Sequence, residues 1–361
     1  MGKLTKKSTR KRISVLVATL FALSMLVTLV FSVPMVGANV TSNDLNISPL
    51  IKGEEYTVIK KIIETLDLED RENVIYITES GKVYANKPEL KNEVVPLKHV
   101  KDNIYENPEG YQFVFPDETI GVSTSEITYQ ESQTDIVPLQ GTGPFRRVKS
   151  KNGTQQTPYA WTCANVHIGK KPADVYDNDS LPSGDTAYVY LGGTGGDGAH
   201  LEVDAGLQHS FTNDNWTLVM KVENGANGHD LPRFKSDQNV FFKFYVNDND
   251  SVTVKAQGFD VDNNWQERTV CREASGWRKD GIGNAMKRCT TIAQIIGYEN
   301  LLSGSYHKNV RWYECKIGAS STNNHYWSGS DIGESSKYPN DSRVTVQWTN
   351  WANETVHINL N

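Results

Sequence analysis

The stretch that decides the fold is "NVFFKFYVNDNDSVTVKAQGF", Asn239 to Phe259. In an extended chain, alternate side chains share a face. Val240, Phe242, Phe244 and Val246 therefore line up against Phe241, Lys243 and Tyr245, which is the period of a strand. The cluster "NDND" at 247–250 punctuates the run, and "SVTVKAQGF" resumes the alternation. The same pattern recurs in "DTAYVYLGG" (185–193) and "RVTVQWTNW" (343–351). Further turn clusters stand between the runs, "NGANG" at 224–228 and "DVDNN" at 260–264. Between these runs no segment has the spacing of a crossover helix; "NAMKRCTTIAQIIG" (284–297) reads as a short helix or a strand, with strand preferred. The pattern predicts an all-β fold, an antiparallel β-sandwich or jelly roll of the concanavalin A-like kind.

Composition changes near residue 140. All eight Trp and all four Cys lie from Gly141 onward, and "VPLQGTGPF" marks the change with Pro and Gly. Residues 39–140 form an acidic N-terminal region, read as a small α+β lobe or a propeptide preceding the sandwich of 141–361. In it, "EEYTVIKKIIETLDLE" places Val58, Ile59, Ile62, Ile63 and Leu66 at helical spacing, and "NVIYITESGKVYANK" predicts a hairpin turning at Ser80-Gly81.

Ahead of both stands "MGKLTKKSTRKR", six positive charges without an acid, then the uncharged run Ile13 to Val33 and "PMVGAN". This is a secretory signal, with Val36 and Ala38 where a signal peptidase reads and cleavage after residue 38. The run is long enough to span a bilayer, so an uncleaved anchor is the competing reading; no later stretch is. Removing six of the 37 basic residues and none of the 43 acidic ones takes the formal net charge from −6 to −12. Such a chain is a poor partner for nucleic acid or anionic lipid. It is expected outside the cytoplasm, secreted or associated with the cell wall. In that compartment Cys163, Cys271, Cys289 and Cys315, none spaced as C-x-x-C, suggest two disulfides; buried free thiols are the alternative.

Several blocks, "GPFRRVKS", "DTAYVYLGG", "VDAGLQHS", "NDNW", "FFKFYV", "GWRKDGIGNAMKR" and "IGASSTNNHYW", together resemble the YrpD-like family of secreted proteins of Gram-positive bacilli. The resemblance runs from about Gly143 to the C-terminus. It implies an exported protein with a sandwich fold and no assigned activity.

Four patterns carry chemistry. In "HLEVDAGLQHS", Glu202 and Asp204 share one strand face, as the nucleophile and its helper do in sandwich endoglucanases with an E-x-D-x-E strand. The proton donor is missing, because Gly206 or Leu207 stands in its place. His209, with Gln208 beside it, and Tyr306, near His307 and Arg311, supply the residue types of a polysaccharide lyase without its spacing. Asn323, Asn324, His325, Tyr326, Trp327 and Asp331 form an amide-rich aromatic loop, with Trp216 after "TNDN". Sugar rings pack on aromatic planes while amides fix their hydroxyls. Asp260, Asp262 and Asn264 start like a calcium loop, but Trp265 and Cys271 occupy the sixth and twelfth places, so an Asx turn is expected; a structural calcium is the one cofactor the sequence leaves open.

The sequence thus predicts an exported sandwich that binds a polysaccharide or cell-wall glycan without cutting it. The rivals are a jelly-roll lyase or glycoside hydrolase, and an envelope protein without a ligand. Ligand identity and oligomeric state stay open.

Overall fold

The computed structural model describes residues 45–116, 143–178, 180–197, 202–210, 212–222, 225–229 and 233–361. The leader at 1–38 lies outside them. Residues 45–361 make one compact unit. No helix among the described residues is long and apolar enough to cross a membrane.

Two large sheets face each other. The first runs in the order Val83–Ala85, Val74–Ile77, Trp265–Glu273, Ser251–Phe259, Gln238–Asp248, Trp161–Ile168, Tyr306–Ser320, Asn353–Asn359, Val344–Asn350. The second runs Ile332–Tyr338, Phe145–Ser150, Ala285–Ala293, Thr186–Thr194, Glu202–Ser210, Asn215–Val222, Gly225–His229, Val94–Pro96. A small third sheet joins Lys98–Lys101, Ile104–Glu106 and Gln112–Val114. The alternation read in the sequence sets the layers. Val240, Phe242, Phe244 and Val246 meet Ala187, Val189, Leu191, Val203, Ala205 and Leu207 in the core between the large sheets. The 284–297 segment is the strand Ala285–Ala293, buried along its whole length.

The compositional boundary near residue 140 does not separate two sets of sheets. Val74–Ile77 pairs with Trp265–Glu273, and the other pairings among the described residues are antiparallel while this one is parallel. Val94–Pro96 adds to the other sheet. The predicted helix is α1, Gly53–Thr65, and the predicted hairpin turns at Gly81, whose φ of +82° suits glycine. Ile59 and Ile63 of α1 pack on Trp161, Cys163, Tyr245 and Cys271, on the outer face of the first sheet. Beside them Asp70 is buried, held by Lys243 at 2.6 Å, Lys255 at 3.1 Å and the Tyr245 hydroxyl at 2.8 Å. Asp67, Glu69 and Asp70 lie close enough to share a metal ion, but the two lysine ammoniums are seated among them.

One polar group of the first sheet is tied to the second inside the core. Glu354 receives Arg146 Nη2 at 2.8 Å and lies 3.2 Å from Arg288 Nη2. Arg288 also donates to the Trp351 carbonyl and lies over the Trp327 ring. Nearby, Trp312 Nε1 of the first sheet donates to Thr290 Oγ1 of the second at 2.8 Å. Burial opposes the charge on Glu354, but Arg288 and Arg146 outweigh it and hold its carboxyl below the ordinary value.

The two expected disulfides are absent: all four cysteines are free and buried. Cys163 and Cys271 share the outer face under α1, but on strands three places apart. That is roughly 14 Å at ~4.8 Å per strand, twice the ~7 Å that a disulfide allows between Cα atoms. Cys315 points into the core between the sheets, and Cys289 lies on the outer face of the second. Burial pushes the Cys163 and Cys271 thiols up to about 12, which leaves them unreactive.

Removing the Glu354 carboxylate leaves two guanidiniums facing each other in the core. Glu354→Ala should cost about 3–5 kcal/mol, read as a lower urea midpoint. An unchanged midpoint would show that water reaches the arginines.

Candidate functional site

The acid pair on Glu202–Ser210 has a partner, and it is a base. Lys287 of the neighbouring region lies 2.5 Å from Glu202 Oε1 and 2.6 Å from Asp204 Oδ1, its ammonium over the Tyr190 ring. The position where an E-x-D-x-E strand carries its donor is Gly206. A Cβ built there would lie 2.1 Å from the Val189 carbonyl oxygen, so no acid fits. The pair is a buried ion cluster and does not form a retaining dyad.

His209 is also absorbed. It points to the opposite face from Gln208, as alternation requires. Its Nδ1 donates to Asp177 Oδ2 at 2.6 Å and its Nε2 to Asp214 Oδ1 at 3.2 Å. Burial works against a charged ring, but the hydrogen bonds and charges of Asp177 and Asp214 outweigh it and raise the pKa. With a carboxyl oxygen set on each nitrogen, neither is open to take a substrate's proton. Tyr306 stacks on Tyr176 and donates to the Pro172 carbonyl at 2.5 Å. The structure does not gather Glu202, His209 and Tyr306: the first two are seven residues apart on one strand, roughly 23 Å at ~3.3 Å per residue.

The aromatic loop is half right. Asn323–Tyr326 is a short strand, and Tyr326 and His325 are exposed. Trp327 and Trp216, however, are core residues. Trp327 Nε1 is directed at Thr162 Oγ1 and the Lys316 carbonyl, and Trp216 Nε1 donates to the Gly169 carbonyl. Asp331 is buried and accepts from His325, Tyr159 and Ser328, fixing the loop. Trp348, in the alternating run 343–351, is exposed at a sheet edge against Trp351. The Asp260 cluster is the expected turn: Oδ1 accepts the backbone N–H of Asp262 and Asn264, and Oδ2 accepts from Gln266.

A cavity of about 550 Å³ lies elsewhere, where the third sheet meets the outer face of the second. Tyr188 donates its hydroxyl to the Val114 carbonyl, Lys221 reaches the Pro116 carbonyl, and Asn103 bridges the Phe115 and Gln294 carbonyls. Those bonds fix the third sheet in place. Its loop at 107–111 is shaped by Asn107 Oδ1, which accepts from the Glu109 and Tyr111 amides. One side of the cavity is thus Tyr111, Gln112 and Phe113; another is Gln208 and Thr217, which face each other across paired strands.

Gln208 and Thr217 are buried polar residues, yet Gln208 Oε1 and Thr217 Oγ1 have no hydrogen-bond partner. Buried polar atoms are nearly always satisfied, and an orphan costs about 1–3 kcal/mol. At the cavity's end, Asp177 is engaged by His209, and Asp185 accepts from Gln294 and Ser303. No lining hydroxyl is hydrogen-bonded to a histidine or carboxylate among the described residues. The arrangement offers directed hydrogen bonds beside aromatic rings, without an activated nucleophile. The sequence pointed to Gln208 only as a lyase part. It gave no sign that residues 107–113 close over it.

Two outcomes check these assignments. Trp327→Ala should destabilise the fold by about 3–5 kcal/mol and leave ligand retention per folded molecule unchanged. For His209 the charged form is the stabilising one. Its contribution is whole below the ordinary histidine value of about 6.5 and is lost as pH rises through the raised folded value. The stability advantage of wild type over His209→Gln in urea should therefore shrink towards alkaline pH; a constant difference would show a neutral ring.

No family model matches the chain, and no curated protein matches it. Among solved structures, Scytalido-glutamic peptidase with a peptide-based transition state analog aligns with a TM-score of 0.38 and 8% identity, over 61% of this chain and 98% of that one. SCP-B, a member of the Eqolisin family of peptidases in complex with the tripeptide Ala-Ile-His, aligns with a TM-score of 0.36 and 8% identity, over 60% and 97%. Likeness at these values does not bear on activity.

Proposed function

We propose that this is an exported, non-catalytic carbohydrate-binding protein that holds one or two sugar units between Gln208–Thr217 and the Tyr111–Phe113 wall. The observation that carries the reading is the pair of orphaned polar atoms in a cavity of about 550 Å³, within the range of small-ligand sites. A sugar hydroxyl both donates and accepts, so one ring edge serves Gln208 Oε1 and Thr217 Oγ1 together, while Tyr111 offers a plane to its C–H face. The leader and the YrpD-like resemblance support export, and a wall glycan is the partner in keeping with it.

The enzymatic rivals lose their residues. Glu202 and Asp204 are both ion-paired with Lys287, and both nitrogens of His209 are engaged by Asp177 and Asp214.

The test is retention on insoluble cell wall, cellulose and chitin, followed by titration of soluble fragments of whichever retains the protein. Gln208→Ala should weaken binding about tenfold, the loss of a hydrogen bond worth about 1–1.5 kcal/mol, and Tyr111→Ala should weaken it similarly. No retention on any of the three, or equal affinity in both variants, sinks the reading. New reducing ends or unsaturated products would restore an enzyme.

A further inference from the structure

The outer face of the second sheet carries a lysine set between two acids. The pairing registers place Lys149, Lys287, Gly192, Asp204 and Lys221 in one row across five strands. Lys287 and Asp204 stand on either side of Gly192, two strand spacings or roughly 9.6 Å apart, and the residue between them has no side chain. Lys287 Nζ donates to Glu202 Oε1 at 2.5 Å and lies 2.6 Å from Asp204 Oδ1. The Asp204 carboxyl carbon is one C–O bond from that oxygen, so it is at most ~3.8 Å from the nitrogen, beside the ~3–3.5 Å of a near-attack pair. Lys221, on the far side of Asp204, donates to the Pro116 carbonyl instead.

Lys287 is fully enclosed, and Asp204 is the more enclosed of its two acids. Tyr190 and Cys289, a cross-strand pair two residues along, are buried on the same face. Taking an ammonium and a carboxylate out of water removes the hydration that favours the charged pair and brings the neutral amine and acid within reach. Those are the forms that condense, and a fixed contact gives them an effective concentration that free groups in solution lack. The Asp70 cluster differs. There two ammoniums and the Tyr245 hydroxyl hold one carboxylate. Burial opposes the charge on Lys243, but Asp70 and Glu69 outweigh it and raise its pKa, so Lys243 stays an ammonium.

We infer that the folded protein joins Lys287 to Asp204 by an amide bond between their side chains, with Glu202 as the proton carrier. Glu202 takes a proton from the ammonium through the hydrogen bond it already accepts. The freed nitrogen lone pair attacks the Asp204 carboxyl carbon; the C–N bond forms, one C–O bond breaks, and that oxygen leaves as water. The two protons the nitrogen gives up depart on that water by way of Glu202, which ends as the carboxylate it began as. Ammonium and carboxylate become one amide and one water, so the balance needs no oxidant, cofactor or second substrate. The bond ties Glu202–Ser210 to Ala285–Ala293 across Thr186–Thr194. It does not rest on ligand binding at Gln208, and either can fail without the other.

Mass spectrometry of a tryptic digest of the denatured protein tests it. Trypsin does not cut after an acylated lysine, so the wild type should lack the linear peptide 280–287. It should yield instead a branched species, lighter by one water than the two peptides that carry Lys287 and Asp204. Peptide 236–243, which ends at the ion-paired Lys243, should come off linear. Glu202→Gln should leave the Lys287 and Asp204 peptides linear. So should Lys287→Arg, which keeps the charge but holds its proton; circular dichroism confirms that each variant is folded. The inference is overturned if the wild type releases 280–287 in linear form, if the branch persists undiminished in Glu202→Gln, or if fragmentation places it on another pair of residues.

Discussion

The carboxylate of Glu354, set between Arg146 and Arg288 where water does not reach, is the constraint on which the sandwich depends. Apolar contact between two sheets is non-directional, so their offset is held by the fit of close-packed side chains and by whatever polar group crosses between them. An ion triad cannot slide, because breaking it strands buried charge. It fixes Asn353–Asn359 of one sheet against Phe145–Ser150 and Ala285–Ala293 of the other. It also positions the Trp351 turn and the Trp327 ring through Arg288. The Gln208 cavity then follows from where the second sheet presents its outer face.

Those outer faces explain the N-terminal region. A sheet with apolar residues on both sides needs three layers, and the chain supplies the extra layers from residues 45–116. On the first sheet α1 covers the tyrosine and cysteine side chains, locked by Asp70 against Lys243 and Lys255. On the second, Tyr105, Val114 and Phe115 cover Tyr188, Tyr190 and Phe145. Among the described residues coverage stops short on the second sheet, and there Gln208 and Thr217 face the cavity. The region that lacked a recognisable site forms one side of the Gln208 cavity.

Local pattern made much of this legible. Alternation over 239–259 and 185–193 gave strands that exist, and helical spacing gave α1, while 284–297, left between helix and strand, is a strand buried along its whole length. It failed where a residue's fate depends on its sheet neighbour. Trp348 follows the period of Val344 and Val346 but sits on an edge strand, whereas Trp327 follows a polar stretch and is buried in the core, with Arg288 of the other sheet over its ring. The cysteines failed in the same way: compartment argued for pairing, and strand order kept them apart.

By itself the sequence determined what each segment does over a few residues: strand or helix, which side chains share a face, and that no proton donor follows Glu202 and Asp204. Those are consequences of backbone geometry and need no partner. Only the tertiary structure decided that Lys287 answers that acid pair, that two carboxylates close on His209, and that Gln208 and Thr217 meet a loop a hundred residues away. Such contacts are set by sheet order, and the energy that selects the order is spread over the whole core, so no short stretch records it.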